Sequence, residues 1–141
     1  IIRASKVPVF VASRAYKPIS KVLVAYDGSA SAKVAIDRMS GSAVFADLDV
    51  TVLCIGQDDG NAKTKATADE AVAQLQHVEI RAVARTAAGE PGDVLNDLVK
   101  TEGFDLLVMG AYGHSRIRQL IIGSTTTTMI QTANIPVLLY R

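Results

Sequence analysis

The sequence predicts an α/β fold: an open, mainly parallel sheet with helices on both faces. Three features carry that expectation. Apolar, β-branched runs alternate with stretches of helical periodicity from Lys21 onward, the pattern of successive right-handed βαβ crossovers. Leu106, Leu107, Val108 and Met109 form an uninterrupted apolar run, as in a strand covered on both faces of a parallel sheet. That run stops abruptly in a glycine-rich stretch, which places ligand chemistry at the carboxyl end of a strand, where open α/β sheets bind.

Size and composition agree with one compact domain, since 141 residues with 49% hydrophobic side chains can enclose a sizeable core. Fifteen basic and fourteen acidic residues leave a formal charge of +1. That balance gives no general electrostatic reason to expect nucleic acid or an acidic membrane as partner. The single cysteine, Cys54, has no internal disulfide partner. No apolar run approaches the roughly 18 residues needed to cross a bilayer, and no charged, apolar, small-residue leader pattern is visible. A reduced cytoplasm is the compartment these features predict.

In chain order, the first feature is a repeat. Residues 1–11, IIRASKVPVFV, align with residues 129–139, MIQTANIPVLL, so that Ile2 falls on Ile130, Pro8 on Pro136 and Val9 on Val137. The alignment predicts that residues 1–12 are the closing helix end and strand of a preceding copy, that residues 13–20 are a linker, and that residues 21–141 form the domain. The alternative is a simple apolar extension. The sequence KVLVAYDGS at residues 21–29 reads as the first strand of the domain and a turn. Ala32, Ala35, Ile36, Met39 and Ala43 then recur at helical spacing. Asp49–Gly56 is β-branched and apolar enough for a second buried strand, followed by a polar loop. Ala68, Ala71, Val72 and Leu75 mark the next helix.

Residues 78–86 alternate, with Val78, Ile80, Ala82 and Ala84 on one face and Glu79, Arg81, Val83 and Arg85 on the other. The segment is expected to be a strand with one wetter face, near the edge of the sheet. Gly89-Glu90-Pro91-Gly92 is turn chemistry, and Val94, Leu95, Leu98 and Val99 give a third helix its apolar stripe before Gly103 ends it. Cys54 is read as a small core residue and His77 as a solvated residue at a helix end.

The stretch after Met109 changes character. Gly110 and Gly113 bracket a loop whose backbone can approach a ligand closely, and Gly123-Ser124-Thr125 follows, with Ser124 or Thr125 placed to cap a helix running toward Asn134. A helix start presents unpaired N–H groups and a partial positive charge, so it favours an anion such as phosphate. A P-loop would require lysine directly before the hydroxyl residue, whereas here Ser124 follows Gly123 directly.

The spacing Gly110-x2-Gly113-x9-Gly123-Ser124, together with residues 21–29 and Asn134-Ile135-Pro136-Val137, resembles the ATP-binding signature of the universal stress protein family. The resemblance covers nearly all of residues 21–141. It implies a doubly wound, Rossmann-like sheet of five strands in order 3-2-1-4-5, with a crevice where the Asp27 turn and the Gly110 loop meet. It also implies an ATP site, with Mg²⁺ accompanying the nucleotide. Gly123, Ser124, Thr125 and Thr126 would bind phosphates, with an ordinary helix cap as the competing reading. Gly110 and Gly113 would pass close to ribose and phosphates, or form a plain loop.

Asp27 would face the nucleotide, although Asp before Gly is also common in turns. Ala25 and Ile55 match positions around adenine, Ile55 through its backbone, and Met109 is counted with them. His114, Arg116 and Arg118 lie inside the glycine loop, as candidate phosphate contacts or solvated residues. The function expected from the resemblance is a stress-response module in which ATP occupancy modulates assembly or partner binding, with slow or no hydrolysis. An ATP-hydrolysing enzyme and a dimeric scaffold with an empty pocket are the alternatives. The expected partners are an adenine nucleotide and a second such domain, or a second copy, through the edge strand at residues 135–140. Residues 7–11 are expected to lie antiparallel to that strand.

Overall fold

The computed structural model describes residues 7–13, 15–57, 61–110 and 134–140. Six strands form one sheet: β1 (Val9–Val11), β2 (Lys21–Ala25), β3 (Asp49–Gly56), β4 (Arg81–Ala88), β5 (Leu106–Gly110) and β6 (Val137–Tyr140), in spatial order β1-β6-β5-β2-β3-β4. From β4 to β6 every neighbouring pair is parallel. These five strands run in the expected order 3-2-1-4-5. The sheet is nevertheless six-stranded rather than five-stranded, because β1 adds an antiparallel strand on β6.

Helix α1 (Ala30–Ser40) starts at Ser29, whose side chain accepts from the Ala32 N–H, and ends at Gly41, whose N–H turns back to the Asp37 and Met39 carbonyls. Helix α2 (Ala62–His77) is capped by Asn61, which accepts from the Lys63 N–H. Helix α3 (Pro91–Glu102) begins with Pro in its first turn behind a Glu90 cap and closes on Gly103 at φ +69°, the arrangement that satisfies helix ends at least cost.

The two faces of the sheet separate cleanly. Ala32, Ala35, Ile36 and Met39 of α1 and Ala68, Ala71 and Leu75 of α2 pack with Val22, Val24, Val50, Val52 and Val108. Leu95, Leu98 and Val99 of α3 pack on the opposite face with Leu23, Leu53, Leu107 and Met109. Alternate residues of each strand therefore serve opposite cores, and the central strands β2 and β5 read as continuous apolar runs because both faces are covered.

Four expectations need correction. The last strand, expected over residues 135–140, is Val137–Tyr140, because Pro136 has no N–H to give to the ladder. Ala43 does not continue α1: Gly41 ends the helix, and Ala43 opens a separate 3₁₀ turn, Ala43–Phe45, that buries Phe45. The strand predicted from Val78 begins at Arg81, since Val78 is the C-cap of α2 and 42% exposed. The strand expected over residues 7–11 is Val9–Val11, with Pro8 just before it. β4 does lie at the sheet edge, with Val83 turned to solvent. Among the described residues, no helix is long and apolar enough to cross a membrane.

Candidate functional site

The crossover from β2 to β3 runs on one face of the sheet, through α1. The crossover that enters β5 from β4 runs on the other, through α3. The switch falls between the neighbours β2 and β5, which leaves a crevice at their carboxyl ends. Beyond Ala25 the backbone stays tied to the sheet by the Tyr26 N–H, which donates to the Leu53 carbonyl at 2.9 Å.

Asp27 then turns the chain: its Oδ1 accepts from the Ser29 N–H at 2.9 Å, and Gly28 takes φ +75°, a conformation that favours a residue without Cβ. Ser29 Oγ accepts from the Ala32 N–H at 3.3 Å and lies 3.4 Å from Ser31 Oγ. The second oxygen of the same carboxylate, Asp27 Oδ2, is buried and has no hydrogen-bond partner among the described residues. A buried acceptor left in that state costs about 1–3 kcal/mol, so it marks a place where a donor or cation is wanted.

Asp27 also acts on its surroundings. Burial pushes the Cys54 thiol up to about 12, and the Asp27 and Asp69 carboxylates add to the rise. Burial likewise lifts the Tyr26 phenol to about 12, reinforced by Glu70, Cys54, Asp27 and Asp37. Both groups therefore stay protonated and neutral. Cys54 is 2% exposed, a core residue as its sequence context predicts.

Ala25, Ile55 and Met109 share the face that carries α3. Ala25 stands beside Met109 on β5 and beside Leu53 on β3, and Ile55 lies two residues further along β3, so the three form a short apolar floor at the carboxyl edge of the sheet. Gly110 ends β5 against the start of α1: a Cβ there would stand 2.5 Å from Ser31 Oγ and 2.8 Å from the Ala32 nitrogen. Its glycine is required by packing of the chain on itself. Gly113, His114, Arg116, Arg118, Gly123, Ser124, Thr125 and Thr126 lie outside the described residues.

Sequence reasoning missed Ser29 as the cap of α1 and Ser31 as the neighbour of Gly110. The run Asp27-Gly28-Ser29 ahead of an apolar helical pattern is a recognisable helix-start signal and would have found the cap. Nothing local announces Ser31. Among the described residues there is no cluster of three or more His, Cys, Asp or Glu able to hold a metal ion.

An open sheet with such a switch point defines a doubly wound α/β domain with a ligand crevice. The sequence profile of the Universal stress protein family matches residues 18–141, and the chain belongs to that family. Universal stress protein Slr1230 of Synechocystis sp. (strain ATCC 27184 / PCC 6803 / Kazusa) is 35% identical over 141 residues, covering 100% of this chain and 49% of the relative. The chain spans about half the length of the curated relatives it matches, 49% and 42%.

Among solved structures, a universal stress protein in complex with cAMP is 25% identical, superposes with a TM-score of 0.71 and covers 89% of this chain and 98% of its own. A family member from Arabidopsis thaliana with AMP bound is 21% identical, with a TM-score of 0.65 over 86% of this chain and 90% of its own; at that identity the likeness speaks for the fold.

Proposed function

We propose that this domain is an adenine-nucleotide-binding module, with ATP accompanied by Mg²⁺ as its ligand, in which occupancy modulates assembly or partner binding and turnover is slow or nil. The observation that carries the reading is the buried Asp27 Oδ2 at the switch point of the sheet, unpartnered among the described residues. A carboxylate oxygen there repels phosphate, so it suits a ligand donor, from base or ribose, or a cation held jointly with phosphates. The apolar floor of Ala25, Ile55 and Met109 suits the flat base, and the Gly110-x2-Gly113-x9-Gly123-Ser124 pattern suits the phosphates. Complexes of family relatives with cAMP and AMP support the same ligand class.

The repeat at the two ends and the half-length match to Slr1230 support a second element of the proposal. In it, residues 1–12 close a preceding copy, residues 13–20 link the two, and the copies meet through β6 (Val137–Tyr140), the strand expected over residues 135–140.

Isothermal calorimetry with ATP, with and without Mg²⁺, tests the site. Binding that weakens sharply in Gly123→Val is the expected result. No heat with folded protein at ligand concentrations on the order of 1 mM, a regime that still detects weak binding, would overturn the reading.

A further inference from the structure

Asp105 stands at the foot of β5, at the end of the sheet opposite the crevice, and is only 5% exposed. Its Oδ2 accepts from the Ser20 N–H at 3.0 Å, the Lys21 N–H at 3.0 Å and the Ser20 hydroxyl at 3.1 Å, while Oδ1 pairs with the Lys17 ammonium at 3.1 Å. The Asp105 N–H in turn donates to the Lys21 carbonyl at 2.8 Å. Lys21 Nζ donates to the Glu102 carbonyl at 2.6 Å and lies 4.9 Å from the centre of the Phe104 ring. One side of this cluster is the segment leading into β2; the other is the turn between α3 and β5. None of these contacts is to β1 or β6.

The sheet order gives the position its meaning. β1 and β2 are separated by β6 and β5, and β1, antiparallel to β6, ends at the same base of the sheet at which β2 begins. The chain must pass beneath two strands, a gap of about 14 Å at ordinary strand spacing. Residues 12–20 would reach about 30 Å fully extended, so this segment has slack, and what it is tied to sets its course. Asp105, immediately before β5, lies on that course. β1 itself is three residues long, and so short a strand depends on the local concentration its tether provides.

We infer that Asp105 is a positioning residue for the sheet edge: by clasping Lys17, Ser20 and Lys21 it fixes the segment between β1 and β2, and so keeps β1 seated on β6. The buried carboxylate gathers four donors, three from Ser20 and Lys21 at the start of β2 and one from Lys17 in the connecting segment. Its reach back to Lys17 extends the anchoring into the connecting segment.

Residue-resolved hydrogen exchange on Asp105→Asn and Lys17→Met tests this. Asn retains one oxygen for the backbone donors and removes the charge; Met removes only the ammonium. The Leu107 N–H donates to the Pro136 carbonyl, so by strand alternation Val137 and Leu139 turn their backbone groups toward β1. The amides of Val9, Val11, Val137 and Leu139 therefore report on the β1–β6 pair. After normalisation to each variant's global stability, they should exchange at least about 10-fold faster in Asp105→Asn and about 2- to 5-fold faster in Lys17→Met. Val24 and Val52, in the centre of the sheet, should keep their normalised rates. A uniform acceleration of all these amides, or unchanged rates at Val9 and Val11 in both variants, would overturn the inference.

Discussion

Phe10 stands opposite Leu138 at the centre of the antiparallel β1–β6 pair, and the flanking residues are exchanged across it: Val9 faces Leu139, and Val11 faces Val137. In the end-to-end alignment Phe10 corresponds to Leu138, Val9 to Val137 and Val11 to Leu139. Each residue thus faces the equivalent of its mirror neighbour, the self-complementary pattern of a two-fold contact. β1 occupies the edge of β6 in the register that a second β6 would adopt. Deleting residues 1–12 should therefore uncover a self-pairing edge and give a dimer with Leu138 opposite Leu138. Sedimentation equilibrium checks it; a monomer at concentrations on the order of 0.1 mM, where even weak self-pairing registers, would count against the repeat as an assembly element.

Gly110 was expected to be glycine for a ligand's sake, and the fold supplies a different reason in the nearby Ser31 hydroxyl and Ala32 nitrogen. Gly110→Ala should cost about 1–3 kcal/mol through overpacking, measured by urea unfolding without nucleotide. Adding Ser31→Gly should recover only part of the loss, since the Ala32 backbone still stands 2.8 Å away. A neutral Gly110→Ala would return this glycine to the ligand.

These cases show where the sequence is informative. The course of β2, β3, α3 and β5 was legible because covered strands and amphipathic helices leave periodic apolar marks. The limits of elements were less so: Ala43 keeps the helical period past Gly41 by chance, and Val78 keeps the strand period although it belongs to a helix cap. At the site, Asp27 could be singled out through the family resemblance, with a plain turn as the competing reading, but its unpartnered oxygen depends on burial that no local pattern records. Asp105 was invisible for a related reason. A single Asp before an apolar strand has no period, and its partners Ser20 and Lys21 lie 85 and 84 residues away in the chain.

Glu79 has φ +63°, the only non-glycine residue with positive φ among those described, in the turn that joins α2 to β4. A left-handed conformation strains a side-chain-bearing residue. Glu79→Gly should raise stability by up to about 1 kcal/mol, seen as a higher urea midpoint with an unchanged slope. A lower midpoint would show that the side chain stabilises the turn by more than the strain costs.

Acid should act through Asp105. Burial alone would raise its carboxyl, but the hydrogen bonds from the Lys21 and Ser20 N–H groups, Lys17 and the Ser20 hydroxyl outweigh burial and bring it from 3.8 to about 2. The folded state therefore holds the charge more firmly than the unfolded chain does. The resulting stability is complete above roughly pH 4 and is lost as the pH falls toward 2, amounting to about 2 kcal/mol. Stability curves of the wild type and Asp105→Asn should converge as the pH drops from 5 to 2; a constant gap between them would remove Asp105 from acid unfolding.

The Asp27 carboxylate offers opposing effects on stability and binding. Asp27→Asn keeps an oxygen for the Ser29 N–H at the turn and replaces the buried, unpartnered Oδ2 with an amide nitrogen. Without ligand the variant should be as stable as the wild type or more so, because an uncompensated anionic acceptor has been removed. With nucleotide the sign reverses: a donor now stands where an acceptor or cation ligand was needed, and affinity should fall by about 10- to 100-fold, the worth of one charge-assisted hydrogen bond. Thermal melts and calorimetry on the same preparation separate the two effects. A variant that loses stability and retains affinity would show that Asp27 serves the turn rather than the ligand, and would move the recognition of the base and ribose to other groups of the crevice.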